Sequence, residues 1–360
     1  MGKDRVKLGF VGTGNMGQCA HLKNYVVLPD CEVTAIAELR EKTGQAVAAR
    51  YGIPRVYKDH TEMLAYENVD GIVASQPFSR HGLLLKDLLK TGLPIFIEKP
   101  LAASIAAGEQ ILEDLAASKS VVMVGYHKRC DPAITYAREQ ISALKATGEL
   151  GPLRYVRILM PEGDWVAEGF RGRIDGGDPL AELEHDPPDL DMDNGQRKEY
   201  GTFVNYYIHQ VNLMRYLLGE PYQPVFTDRA GILLVGESDS GLTCSIEMTP
   251  YKTSVDWQEQ VLVAFERGYI KVELPAPLAS NRAGTVEVLK DPGNGAVPQV
   301  IKPHLRWDHA MLRQAQRFVS VVKGEAEPAC GAAEALDDLK VAREYMELLW
   351  KTRSGSLTIV

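Results

Sequence analysis

Three glycines near the amino terminus constrain this chain more than any other feature. Gly12-Thr13-Gly14-Asn15-Met16-Gly17 follows the apolar run Val6 to Val11 and opens a helical pattern from Met16 to Val27. Between a strand and a helix, the first glycine permits a tight turn. The second lets a phosphate approach the backbone, and the third lets helix pack against strand. The helix start then presents N–H groups and a favourable dipole to a pyrophosphate. A second apolar run, Glu32 to Ala37, ends at Glu38, 21 residues beyond Gly17. An acid at that position accepts hydrogen bonds from the adenosine ribose and repels a 2′-phosphate. The expected cofactor is therefore NAD, with NADP disfavoured. Arg40, two residues on, offsets part of that repulsion. The expected cofactor contacts here are Gly12, Gly14, Asn15, Met16, Gly17 and Glu38.

The pattern of strand then helix continues. Lys42 to Tyr51 reads as helix, Gly71 to Ala74 as strand and Gly82 to Lys90 as helix. Pro94 to Ile97 reads as strand, Ile105 to Ser118 as helix and Val121 to Val124 as strand. Such alternation implies parallel βαβ units and a doubly wound Rossmann sheet. After about residue 126 the pattern changes. Pro132 to Lys145 reads as helix and Leu153 to Met160 as strand, and residues 161–200 are irregular and acidic. A helix over 203–218 precedes strands at Phe226–Val235, Gly241–Thr249, Ser254–Phe265, Tyr269–Leu274 and Thr285–Leu289. Strands without intervening helices point to an antiparallel sheet. The tail is helical over Trp307–Lys323 and Gly331–Trp350. The expected organisation is an α/β Rossmann domain over 1–126, then an α+β domain over 127–360 with a large open, mainly antiparallel sheet. The second domain would bind substrate and drive oligomerisation. A length of 360 residues suits two domains at roughly 150 residues each.

Composition narrows the partners. Hydrophobic residues make up 45% and charged residues 24%, as in ordinary globular chains. The net charge of -8 comes with no Lys/Arg cluster, which argues against a nucleic-acid partner. No stretch approaches the roughly 18 apolar residues of a membrane helix. The first apolar run is short and glycine-broken, unlike a signal peptide. Five scattered cysteines with no Cys-x-x-Cys pair fit reduced thiols, so a cytoplasmic protein is expected. Glu182, Glu184, His185 and Asp186 lie close in sequence but match no metal-ligand spacing, so no metal is expected.

Further short segments carry a family resemblance. They are Ser75-Gln76-Pro77-Phe78-Ser79-Arg80-His81, Glu98-Lys99-Pro100-Leu101, Gly125-Tyr126-His127-Lys128-Arg129 and Asp131-Pro132. His209 follows, in a helix ending Leu217-Leu218-Gly219, and Pro328 stands before the last helix. With the glycine turn, the chain resembles the Gfo/Idh/MocA oxidoreductases, which include glucose–fructose oxidoreductase and inositol dehydrogenase. The resemblance spans nearly the whole chain, and the Glu-Lys-Pro tripeptide is its most specific mark. It implies oxidation or reduction of a secondary alcohol of a sugar or cyclitol. It places Lys99 between nicotinamide and substrate and makes His209 the acid/base. It lines the cofactor with Ser75, Pro77, His81, Glu98, Lys99 and His127. It also implies self-association into a dimer, a tetramer or a larger assembly.

The chemistry can be read from the residues as well. Alcohol oxidation removes a hydride from carbon and a proton from oxygen, and the protein must handle the proton. Lys99 follows a strand, at the sheet edge where ligands of open α/β sheets bind, and an ammonium there can polarise the reacting oxygen. A histidine near its ordinary pKa of about 6.5 suits proton exchange. His209 lies beside the apolar stripe Val204, Ile208, Val211, Met214 and Leu218. Inositol dehydrogenase-like members carry an aspartate four residues before this histidine, where this chain has Asn205. Asn205 shares the helix face with His209 and can orient it, but carries no charge. Asp186, Asp189, Asp191 and Asp193 are candidate replacements for that carboxylate. His127, Trp165, Asn205, Lys99 and His209 are the expected substrate contacts, with Phe170, Arg171 and Arg173 as further candidates. The expected substrate is a polyol or a glycoside. The alternatives are a redox-neutral, NAD-using glycoside oxidase or glycosidase, and a non-catalytic NAD-binding regulator.

Overall fold

The computed structural model describes residues 5–355. They form two compact units, each assembled from separate stretches of chain. The first unit holds residues up to His127 together with Glu168–Gly201 and Met311–Leu339. The second holds Lys128–Ala167, Thr202–Ala310 and the residues from Lys340 on. Two later stretches of chain thus return to the first unit.

The first unit is built on a six-stranded, all-parallel sheet. Its strands are β1 (Val6–Val11), β2 (Cys31–Ala37), β3 (Arg55–Tyr57), β4 (Gly71–Ala74), β5 (Ile95–Ile97) and β6 (Val122–Val124). Their spatial order is β3-β2-β1-β4-β5-β6, so the winding reverses between β1 and β4. Ligands of such sheets bind beyond the carboxyl ends of the strands at this reversal. The crossovers carry α1 (Lys23–Tyr25), which continues a π-helical stretch Gly17–Leu22, then α2 (Glu41–Tyr51), α3 (His60–Tyr66), α4 (His81–Leu88) and α5 (Ile105–Ala116). Strands covered on both faces must be apolar on both, and Leu8, Phe10, Val73, Phe96 and Met123 are all fully buried. A late helix completes this core. Phe318, in α8 (Ala310–Val322), packs edge-on against Tyr25 and Phe96, with ring centroids 6.4 and 5.8 Å apart.

The second unit carries an eight-stranded sheet, ordered β14-β13-β12-β11-β7-β10-β9-β8. The strands are β7 (Leu153–Glu162), β8 (Tyr222–Thr227), β9 (Leu233–Ser238), β10 (Thr243–Lys252), β11 (Gln260–Phe265), β12 (Gly268–Glu273), β13 (Thr285–Lys290) and β14 (Gln299–Ile301). Only the β7–β10 pairing is parallel. Period-two burial, as in Val261, Val263 and Phe265, turns one face inward. α6 (Pro132–Thr147) contacts β12 and β13, and its buried side is Ile134, Ala137, Ile141 and Leu144. The remaining helices are α7 (Asn194–Leu218) and α9 (Ala332–Ser354).

Several expected elements change length. The strand expected over Phe226–Val235 is a hairpin, because Asp228 builds a turn inside it. Its carboxylate accepts from Leu233 N at 2.7 Å and Ala230 N at 3.0 Å, and Gly231 takes a positive φ of 75°. The strand expected from Ser254 begins only at Gln260. α7 begins nine residues before the expected 203, at Asn194. There Asp193 Oδ1 accepts from Gln196 N at 2.9 Å while Gln196 Oε1 accepts from Asp193 N at 3.0 Å, a reciprocal cap. β3, α3 and β14 are too short to give a periodic signal.

Asp131 caps α6, and its Oδ1 accepts from Ala133 N at 2.8 Å and Gly284 N at 3.2 Å. Burial nevertheless pushes its carboxyl up to about 6; those two bonds and Lys128 pull it down, and Glu259 pushes it up. An unfolded carboxyl titrates near 3.9, so between about pH 4 and 6 the folded chain binds more protons and loses stability as pH rises. Asp131→Asn keeps an oxygen for both amides and removes the charge. We expect it to raise stability at about pH 7.5 by about 1–3 kcal/mol relative to the native chain, and by less near pH 4. Thermal melting at both pH values checks this, and a difference independent of pH contradicts it.

Candidate cofactor and active site

Within the first unit, the glycine turn is shaped from three sides. Gly12 N donates to Ala37 O at 2.9 Å, and Ser75 N donates to Val11 O at 2.8 Å. Gly12 has a φ of 88°, and a Cβ there would lie 2.4 Å from Ser75 O. A Cβ on Gly17 would lie 2.3 Å from Gly12 O, so the third glycine is needed for close packing. Gly14 differs, because a Cβ there meets nothing within 4 Å. Open space beside the middle glycine, flanked by two crowded ones, is the shape a pyrophosphate cradle requires. The residues present therefore fit a dinucleotide.

Glu38 stands where the adenosine ribose is expected, just past β2. Its Oε2 accepts from Thr13 N at 2.7 Å and Thr13 Oγ1 at 2.8 Å. Its two oxygens also accept from Arg40 Nε at 2.9 Å and Arg40 Nη2 at 3.0 Å. Burial alone would raise this carboxyl, but the bonds from Arg40 and Thr13 bring it below the usual carboxylate range. It is ionised at neutral pH and held as an acceptor.

The next two loops at the same sheet edge are tied to each other. His81 is fully buried, with Nδ1 3.1 Å from Leu101 O and Nε2 3.3 Å from Gln76 O. Burial lowers its pKa, so the ring is neutral and donates to only one of these carbonyls. Its contact with Leu101 O sets the segment ending at His81 against the loop after β5. Pro77 itself is exposed at the loop surface. In that second loop Glu98 bonds His21, and burial, which would raise its carboxyl, is outweighed by His21 and Lys99. Lys99 follows directly, half-buried, before a cis peptide bond to Pro100. His127 is buried at the start of a short 3-10 turn, His127–Cys130.

The long irregular segment supplies contacts that sequence reasoning missed. Residues 168–193 form a strap along the first unit's sheet edge. Arg173 Nη1 donates to Asn15 Oδ1 at 2.9 Å, within the glycine turn itself. Gln18 exchanges bonds of 3.0 and 2.9 Å with Ile174. Asp178 accepts from Lys42 N at 2.7 Å and Thr43 Oγ1 at 2.7 Å. Further along, Asp186 accepts from Gly82 N and Leu83 N, both at 2.9 Å, capping α4. Asp186 is therefore committed to a helix start, as Asp193 is to α7. Arg171 pairs with Glu168, and Arg173 lies at the glycine turn.

The second unit holds Trp165, Asn205 and His209. Trp165 O accepts from Leu278 N at 3.3 Å. In α7, Val204, Ile208, Val211, Met214 and Leu218 are buried, while Asn205 is exposed and His209 half-buried on a neighbouring face. Tyr206, between them, accepts through its hydroxyl from Gly163 N at 3.3 Å. Gln210 Nε2 donates to Glu259 at 2.8 Å, and the other oxygen of Glu259 pairs with buried Lys128.

A family profile described as an oxidoreductase family with an NAD-binding Rossmann fold, GFO_IDH_MocA, matches residues 6–126. Over those residues the chain is similar to the Gfo/Idh/MocA oxidoreductases. It is similar to a myo-inositol 2-dehydrogenase of Thermotoga maritima, 26% identical over 64% of this chain and 60% of that protein. It is similar also to an NAD-dependent scyllo-inositol 2-dehydrogenase of Bacillus subtilis, 26% identical over 68% of this chain and 67% of that protein. Among solved structures, a dehydrogenase of Chromobacterium violaceum superposes with a TM-score of 0.73 at 15% identity, covering 98% of both chains, a likeness of fold. Among the described residues no helix is long and apolar enough to cross a membrane.

The glycines of this turn separate folding from binding. We expect Gly12→Ala to destabilise the chain by about 1–3 kcal/mol, because it adds a collision to a strained backbone. Gly14→Ala should leave the melting temperature nearly unchanged and weaken NAD about tenfold or more, since its methyl occupies the cradle. Melting and fluorescence titration of the two variants check this. Equal stability losses in both would contradict the geometry.

Proposed function

We propose that this chain is an NAD-dependent dehydrogenase of a secondary alcohol, with a cyclitol or a sugar as substrate. The observation that carries the cofactor half is the Glu38 carboxylate, held beside the glycine turn by Thr13 and Arg40. It accepts the ribose hydroxyls and repels a 2′-phosphate, which favours NAD over NADP. The similarity to two inositol dehydrogenases supports the substrate class. Bound NAD supplies the hydride acceptor.

The chain's own residues handle the oxygen and its proton. Lys99, at the end of β5, donates a hydrogen bond to the reacting oxygen and stabilises negative charge developing there. Its neighbour Glu98 is anchored on His21, which fixes the loop that presents Lys99. A neutral imidazole nitrogen of His209 takes the hydroxyl proton and returns it in the reverse direction. Asn205, one turn earlier, orients substrate or imidazole without adding charge. Trp165 offers an apolar face to a ring, and His127 lies at the nicotinamide end. Self-association in the cytoplasm completes this reading.

Purified protein with NAD should form NADH on addition of myo-inositol, scyllo-inositol or a related polyol. Lys99→Ala and His209→Ala should each lower kcat by about a hundredfold or more, as loss of a positioned acid or base does. Near-normal turnover in His209→Ala would remove it as the proton acceptor. Unchanged kinetics in Lys99→Ala would remove that residue from the site.

A further inference from the structure

NAD and NADP differ only at the adenosine ribose, where NADP carries a 2′-phosphate. In a Rossmann site the ribose lies past the end of β2, so that phosphate would meet the start of the next helix and the basic side chains near it. In this chain those groups are Arg40 and the N–H groups of Lys42 and Thr43 in the first turn of α2. Each of them already holds a carboxylate. Arg40 Nε and Nη2 bind Glu38 at 2.9 and 3.0 Å. Lys42 N donates to Asp178 Oδ2 at 2.7 Å, and Thr43 N and Thr43 Oγ1 donate to Asp178 Oδ1 at 3.2 and 2.7 Å. The guanidinium of Arg40 also lies within the electrostatic reach of Asp178 and Asp175.

The strap is shaped to bring Asp178 there. Gly176 N donates to Thr43 Oγ1 at 3.0 Å. A Cβ on Gly176 would lie 2.5 Å from Thr43 N, so the strap backbone rests directly on the helix start. Gly177 adopts a φ of 74°, and its N–H donates to Asp175 Oδ1 at 3.0 Å, turning the chain towards Asp178. α2 has no capping side chain of its own at Arg40. A residue about 135 positions away performs that task.

We propose that Asp178 is a specificity-determining residue, whose carboxylate fills the anion-binding start of α2 and excludes the 2′-phosphate of NADP. The inference rests on the NAD reading above and deepens it. Glu38 discriminates from the ribose side, and Asp178 closes the opposite wall. Arg40, which the sequence alone casts as a partial ally of the phosphate, is neutralised between them.

The test is the ratio of dissociation constants, NADP over NAD, measured by calorimetry on the full-length protein. Adenosine 2′,5′-bisphosphate against adenosine 5′-monophosphate gives the same ratio without the nicotinamide. Asp178→Asn removes the charge and retains an oxygen for the same amides, so the ratio should fall about tenfold or more. Asp178→Ser frees the amides as well and should lower it further. Gly176→Val displaces the strap by collision, keeps the charge of Asp178, and should move the ratio in the same direction. NAD binding by each variant certifies its fold. If Asp178 were only a structural cap, both cofactors would weaken together and the ratio would stay fixed. An unchanged ratio in all three variants overturns the proposal. A native ratio near one overturns the underlying NAD reading instead, and it is measured before any variant is made.

Discussion

The Glu38 carboxylate organises the cofactor edge of this molecule. It is 5% exposed and ionised, and a buried charge survives only when hydrogen bonds replace its lost water. Thr13 and Arg40 supply those bonds. One end of the network is the glycine turn after β1. The other is the loop leading from β2 into α2. The network therefore sets the distance between the glycine turn and the end of β2. Gly44 makes room for it, since a Cβ there would lie 3.1 Å from Glu38 Cβ.

From that edge the site extends by contacts between distant parts of the sequence. The 168–193 strap touches the glycine turn through Arg173 and Ile174, α2 through Asp178 and α4 through Asp186. Asp178 and Asp186 cap the starts of α2 and α4, which lack side-chain caps of their own, so a segment rich in charge directs it at backbone N–H groups. Phe318 shows the same economy in the core, where a late helix fills the space between Tyr25 and Phe96. The unit that binds the dinucleotide is thus completed by residues far beyond the βαβ series.

Much of this was legible in the sequence. The glycine spacing, the alternation of apolar strands with helices and the placing of Glu38 are local signals, and the parallel sheet and the match of residues 6–126 to an NAD-binding Rossmann family follow them. What escaped was decided by partners remote in sequence or by a single turn. The Asp228 turn that divides β8 from β9 lies inside an otherwise continuous β-rich run. The polar start of α7 has no apolar period and depends on the cap formed by Asp193 and Gln196. The strap reads as an acidic loop because its order comes from α2 and α4. Arg173 gives no local sign of lying beside Asn15. The roles proposed for Lys99 and His209 rest on the resemblance alone, since a strand-end lysine and a histidine beside an apolar stripe are common.

We propose that a hydride leaves a carbinol carbon of the substrate and stays on NAD. It is tested most directly with a cyclitol deuterated at its carbinol carbons, incubated with the purified protein and NAD, followed by mass spectrometry of the cofactor. We expect reduced cofactor carrying one deuterium per turnover, with a matching yield of ketone. Substrate conversion with unlabelled cofactor and no net reduction would contradict it.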